Sequence, residues 1–299
     1  PELDTDKPVV TPDGTASADA DRTGTDEPDA PGRTRRKYCY NILVSGLDDD
    51  NGGSDTNILV RFDVPNKRID LVSLPRDTLL HNEYRNNKLN FAYAKGGTEL
   101  LMEQIENLLG IPVDFYVTVN LKGFIALVDQ IDGVDFDIPI NMDYDDPYQD
   151  LHIHFTKGPR HLNGQEAMEV VRFRHNNDGT GYGTEDIGRI GTQQAFLKAV
   201  AKQLLQIGNG KNIPALVDIF YTYVKTDLTT GNLVWLGNEA LNIGTENIHF
   251  ATLPGDGSGY YNKQSVYVLD AQATCDLVNE ALNPYNEALT LEDMDILVP

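Results

Sequence analysis

The chain reads as an α/β protein, a β-sheet covered by helices on both faces. Apolar runs of strand length alternate with helix-length apolar stripes, and Gly, Pro and Asn turns separate them. The interleaving persists from Tyr38 to the C-terminus with no internal repeat.

The elements follow in order. Residues 1 to 36 are rich in Asp, Thr, Pro, Ala and Gly and hold almost no large apolar groups, so they form a disordered tail or stalk. Its end, RTRRK (Arg33 to Lys37), is basic, which is most simply a solvated boundary cluster. Residues 37 to 299 form one domain. YCYNILVSGLD is a buried strand, and NILVRFDVPNKRIDLVSLP is two strands joined at Pro65-Asn66-Lys67. ELLMEQIENLLG is a helix closed by Gly110, VDFYVTVN a strand, LKGFIALVDQIDG a helix, and VDFDIPI a strand with alternating faces. NGQEAMEVVRF begins as a helix, HNNDGTGYGTEDIG is a glycine-rich loop, and TQQAFLKAVAKQLLQIG is an amphipathic helix. PALVDIFYTYV and NLVWLGNEALNIG read as helices, IHFATLPG as a strand, and VYVLDAQATCDLVNEAL as a closing helix.

Composition excludes several classes. A formal net charge of -22 argues against nucleic-acid binding, which needs a basic face. No apolar run reaches the ~18 residues of a membrane-spanning helix, and the chain starts at Pro1 as if something preceded it. Cys39 and Cys275 are too far apart in sequence to make a metal site, and their pairing stays open. Neither Gly-x-Ser-x-Gly nor His-Glu-x-x-His is present, which weighs against serine hydrolase and zinc protease chemistry.

Against that acidity, a cluster of arginines stands out: Arg172 and Arg174 in VVRFRHNND, Arg189 in EDIGRIGTQQ, and Arg76 in SLPRDT. Guanidinium forks bind phosphate bidentately and stay charged at any accessible pH. Arg172 and Arg174 share a face if the chain is extended there and diverge if it is helical. Arg189 and Gln193 stand at i and i+4 near a helix start, itself favourable to an anion. Asp48 and Asp55 flank GLDDDNGGSDT near strand ends, where ligands of open α/β sheets bind. Two such carboxylates suit Mg²⁺ with phosphate oxygens, although spacing alone favours an ordinary acidic turn. His152 and His154 alternate on a strand, and without a third ligand nearby they read as surface residues.

These motifs, taken together, resemble the LytR–CpsA–Psr family of cell-wall enzymes. The resemblance runs in order through NILVSGLD, SDTNILVRFD, VSLPRDT, KLNFAYAKGG, LLGIPVDFYVTVN, LKGFIALVDQIDGVDFDIP, KGPRHLNGQEAMEVVRFRH and DIGRIGTQQ. It implies a three-layer α/β/α sandwich with a central mixed sheet and an apolar tunnel for a prenyl chain. It implies a place on the outer face of the cytoplasmic membrane of a Gram-positive bacterium, with an N-terminal anchor absent from this chain. The implied activity moves a glycopolymer such as teichoic acid or capsule from a polyprenyl-pyrophosphate carrier to peptidoglycan, forming a phosphodiester. By motif position, Asp48 and Asp55 would carry Mg²⁺ (or Mn²⁺). Arg76, Arg172, Arg174 and Arg189 would grip the pyrophosphate, Gln193 would assist, Asp186 would orient an arginine, and Lys88 is a further candidate. Catalysis would rest on Asp55, Arg76, Arg172 and Arg174. Gly53 and Thr192 stand where the family often has arginine, and the loop between Asp48 and Asp55 looks short. A hydrolase of lipid-linked pyrophosphate and a non-catalytic polyprenyl-phosphate-binding regulatory protein are the competing expectations.

Overall fold

The computed structural model describes residues 32–47, 52–148, 150–182, 185–207 and 220–298. Residues 1–31 and Asp48 lie outside them, as does the first part, 214–219, of the helix expected over 214–224; of the rest, 220–223 are helical and Val224 opens a strand. The chain divides into two compact units, one of residues 1–120 with 224–299 and one of residues 121–223.

The first unit is built on a six-stranded mixed sheet. Its strands are β1 (Cys39–Leu47), β2 (Ser54–Asp63), β3 (Arg68–Leu74), β4 (Phe115–Asn120), β9 (Val224–Thr226) and β10 (Ile248–Thr252). The order is β10-β3-β2-β1-β4-β9. β2 pairs antiparallel with β1 and β3, whereas β4 pairs parallel with β1 and β10 parallel with β3. Four strands, β1, β3, β4 and β10, therefore share one direction.

Strand alternation sorts the side chains into two apolar layers. Leu43, Leu59, Val72 and Leu74 pack with helix α1 (Leu89–Leu109) and helix α6 (Ala271–Ala281). Tyr40, Ile42, Phe62, Ile69 and Phe115 pack instead with helix α5 (Thr230–Ile243), whose Trp235 meets Tyr40 edge-on at 6.2 Å. The expected α/β/α layering with a mixed central sheet is present in this unit. Between β10 and α6 the chain forms a hairpin of β11 (Gly255–Tyr261) and β12 (Gln264–Leu269). The expected closing helix thus splits: its first residues, Val266 to Leu269, are strand, and Asp270 caps the helix by accepting from the Ala273 N–H at 2.9 Å.

Two other expectations change. Helix α1 begins earlier than the apolar stripe, at Leu89, and is interrupted at Gly96 and Gly97. Gly97 has φ +67 and ψ −156, which a side chain does not tolerate. The basic cluster at 33–36 is not merely solvated. Arg33 pairs with Asp293 at 2.6 Å, Arg35 with Asp114, and Arg36 with buried Asp63 at 2.8 Å. Both cysteines are buried free thiols.

The second unit holds α2 (Leu121–Gln130), α3 (Gly164–Arg172), α4 (Glu185–Ile207) and two antiparallel pairs. β5 (Val134–Ile138) pairs with β8 (Gly158–Leu162), and β6 (Met142–Asp146) with β7 (Leu151–Phe155). Its core joins Val134, Ile138, Ile153, Ala167, Phe173 and Phe196. Among the described residues, no helix is long and apolar enough to cross a membrane.

Candidate functional site

In the first unit, Asp55 and Arg76 meet at the carboxyl edge of the four co-directional strands. The β1–β2 ladder runs from Gly46↔Thr56 to Leu47↔Ser54, so Asp55 is the extra residue of a bulge. A bulge re-aims a side chain out of the ladder. Arg76 leaves the end of β3 through a turn in which the Thr78 N–H and hydroxyl both donate to Pro75 O, at 3.0 and 2.6 Å. Its Nη1 reaches Asp55 Oδ1 at 2.6 Å. The turn expected at Asp48–Asp55 therefore ends in a strand, and Arg76 pairs with Asp55 in preference to Asp77, which lies 3.9 Å from its Nε.

Asp77 joins the group from the other side. Its Oδ1 lies 3.2 Å from Lys88 Nζ at the start of α1. Lys88 is positioned by an isolated bridge to Leu79 and by Asn86, whose Oδ1 accepts from the Lys88 N–H. Asp55, Arg76, Asp77 and Lys88 thus alternate in charge, all partly exposed. The sequence alone offers Asp77 as no more than a helix cap or a surface partner of Arg76. The signal that marks it is its place between two cations brought together by the fold.

The fit of a hard divalent cation can be judged at Asp55. Arg76 occupies its Oδ1, and among the described residues Oδ2 carries no hydrogen bond. A half-exposed carboxylate oxygen of this kind is what Mg²⁺ takes alongside water and phosphate oxygens. The residues present fit.

The second unit carries the remaining arginines. Helix α3 starts on an Asn163–Glu166 capping box and ends at Arg172, after which Phe173 is extended (φ −58, ψ 133) and buried. Arg172 is thus the last residue of the helix, and Arg174, which is exposed, follows the buried and extended Phe173. Gln193 Nε2 donates to Val171 O at 3.1 Å, tying α4 to the last turn of α3 beside Arg172. Gln193 thus positions the arginine segment by a backbone bond. Arg189 stands one turn earlier on the same side of α4. Asp186 lies in the first turn of α4, and its side chain falls outside the described residues.

Thr192 is buried; its hydroxyl donates to Gly188 O at 3.1 Å and accepts from the Tyr182 hydroxyl at 2.7 Å. The Tyr182 ring also meets Phe173 at 5.7 Å. A Cβ on Gly188 would come within 2.4 Å of Tyr182, so only glycine lets the ring lie on α4. Burial raises the Tyr182 hydroxyl above its ordinary pKa. Thr192 therefore holds the loop at a position where the resemblance implies arginine. Sequence reasoning missed this anchor because Tyr182 is ten residues away in a glycine-rich loop.

The family model described as "LytR_cpsA_psr family" matches residues 9–283. The chain is 32% identical over 252 residues to the polyisoprenyl-teichoic acid–peptidoglycan teichoic acid transferase TagV of Bacillus subtilis, covering 80% of this chain. It spans 62% of that relative's length. It is 31% identical over 267 residues to the enzyme of the same description, TagU, of Bacillus cereus, covering 88% of this chain and 83% of the relative. The solved structure of B. subtilis TagV superposes with a TM-score of 0.69 at 27% identity, over 88% of this chain and all of that one.

Proposed function

We propose that this chain, which belongs to the LytR_cpsA_psr family, is a phosphotransferase that moves a glycopolymer from a polyprenyl-pyrophosphate carrier to peptidoglycan. It works outside the cytoplasmic membrane. The relatives named for this transfer support the reading, and the observation that carries it is the Arg76–Asp55 pair, built on a bulge at the carboxyl edge of the sheet.

Arg76 of the first unit and Arg172, Arg174 and Arg189 of the second are each suited to pyrophosphate oxygens, as cations that never lose their charge. They neutralise the negative charge that accumulates as the transfer proceeds. The acceptor hydroxyl oxygen forms a new bond to the glycan-bearing phosphorus. The bond from that phosphorus to the bridging oxygen breaks, and polyprenyl phosphate leaves with its electron pair. The hydroxyl proton passes to a carboxylate or to solvent. Asp55, with Asp48, would hold Mg²⁺, which supplies further neutralisation at the phosphate oxygens. Arg76 keeps the Asp55 carboxylate in place. Asp77 does the same for Lys88, and Gln193 for the Arg172 segment.

The test is release of polyprenyl phosphate from a short synthetic polyprenyl-pyrophosphoryl glycan, with Mg²⁺ or with chelator, and with and without peptidoglycan oligomer. Asp55→Ala and Arg76→Ala are each expected to lower release by about 10²–10³-fold. Arg76→Lys, which keeps the charge but loses the fork, should retain more. Glycan found on peptidoglycan selects transfer, and glycan released as a free phosphate ester selects hydrolysis. Unchanged release in both alanine variants would overturn the reading.

A further inference from the structure

The hairpin of β6 and β7 separates its residues by chemistry. Met142, Leu151, Ile153 and Phe155 face the core, while Asp143, Asp145, His152 and His154 are all exposed. Register sets Asp145 opposite His152 and Asp143 opposite His154, so two carboxylates and two imidazoles form a square on one face. His154 Nδ1 lies 2.7 Å from Asp143 Oδ1. Asp145 Oδ1 lies 2.5 Å from His152 Nδ1 and 3.3 Å from His154 Nε2. One ligating atom from each of Asp145, His152 and His154 falls within 4.8 Å of the others.

We propose that Asp145, His152 and His154 form a structural site for a Zn²⁺-type divalent transition ion, with Asp143 holding the His154 ring through its Nδ1 and water as the fourth donor. A tetrahedral ion with bonds of ~2.0–2.1 Å holds its ligands roughly 3.4 Å apart. The cluster is near that size, so rotation of exposed side chains completes it without moving the backbone. Imidazole donors select Zn²⁺, Cu²⁺ or Ni²⁺ over the hard Mg²⁺ expected at Asp55. The His161–Asp135 pair on β8 and β5, 2.8 Å apart and equally exposed, belongs to no such cluster among the described residues. A solubilising ion pair on this unit thus takes a different form.

The strand carrying the carboxylates is also braced from its free edge. The Asp143 N–H donates to Asn176 Oδ1 at 2.7 Å and the Asp145 N–H to Asn177 Oδ1 at 2.6 Å. Asn177 returns bonds to both carbonyls, its N–H to Asp143 O at 3.2 Å and its Nδ2 to Asp145 O at 3.1 Å. That segment follows directly on Arg172 and Arg174, so an ion clamping the hairpin stiffens the strand against which the arginine segment lies. The inference stands apart from the proposed transfer and is tested without it.

The experiment is calorimetric titration of the tag-free chain with ZnCl₂, beside His152→Ala, His154→Ala and the control His161→Ala. The expected result is one Zn²⁺ per chain, with affinity at least tenfold weaker in His152→Ala and His154→Ala, unchanged in His161→Ala, and not displaced by millimolar Mg²⁺. Thermal melts run alongside should show a Zn²⁺-dependent rise in Tm for the wild type and not for His152→Ala. This readout also shows that the variants fold. Equal affinity in all four proteins, several weak equivalents per chain, or displacement by Mg²⁺ would mean adsorption to an acidic surface and would overturn the site.

Discussion

The carboxylate of Asp227, just after β9, accepts a hydrogen bond from the Tyr116 N–H at 2.9 Å. Burial, with the nearby Asp114 charge, pushes its pKa from an ordinary 3.8 up to about 6, against the pull of backbone hydrogen bonds. The folded chain thus holds this proton more tightly than the unfolded chain. The stability it contributes is full below about pH 4 and is lost as pH rises through about 6, by up to about 3 kcal/mol. Asp227→Asn keeps the acceptor for Tyr116 and removes the titration. It is expected to raise the urea midpoint at pH 7 and flatten its change between pH 4 and 6. Burial likewise pushes the Cys39 thiol up to about 11. Cys39 should therefore resist iodoacetamide at pH 8 in the native protein and react once urea unfolds it. The Arg76–Asp55 pair shows the limit of reading single residues from sequence. The two lie 21 positions apart, and local spacing favoured an ordinary turn at Asp55. Only the bulge opposite Gly46 and Leu47 turns Asp55 out of the ladder.

Element boundaries were legible where chain chemistry is local. Gly110 closes α1 in a left-handed conformation, as its place after an apolar stripe indicated. The Asn163–Glu166 capping box starts α3 from four consecutive residues. The β12–α6 boundary was missed because the apolar residues Val266 to Leu269 run straight into a helical stripe. Asp270 was the signal, a capping residue standing at the junction. The break in α1 has a definite conformational cause in Gly97. Gly97→Ala has room for the methyl group but is forced into a region closed to it, at a cost of about 1–3 kcal/mol. Chemical denaturation of the variant should show that loss, whereas Gly191→Ala, on the exposed side of α4 with open space around it, should be neutral or stabilising.

At the scale of the molecule, the alternation of strand and helix continues through 121–223, so nothing in the pattern marks where one compact unit gives way to the other. Residues 33–36 close the first unit in a way composition did not suggest. Arg36 pairs with Asp63, whose side chain is 2% exposed, and Arg35 with Asp114 at 5%. Removing a guanidinium leaves a buried carboxylate short of its partner. Arg35→Ala combined with Arg36→Ala is expected to lower stability by about 2–4 kcal/mol, discounted for the partial exposure of both arginines. Urea denaturation measures it, and a double variant as stable as the parent would show the strap to be ornamental to the fold.

The alternation of strands and helices, the acidic character and the arginine-bearing motifs follow from residue type and short-range period, which a linear chain displays directly. Which groups meet was decided by the tertiary structure. Sheet register brought Arg76 to Asp55 and His152 to Asp145, and helix packing brought Gln193 to Val171 and Thr192 to Tyr182. The physical reason is that pairing register and packing depend on the whole set of buried contacts. No window of the chain contains that set.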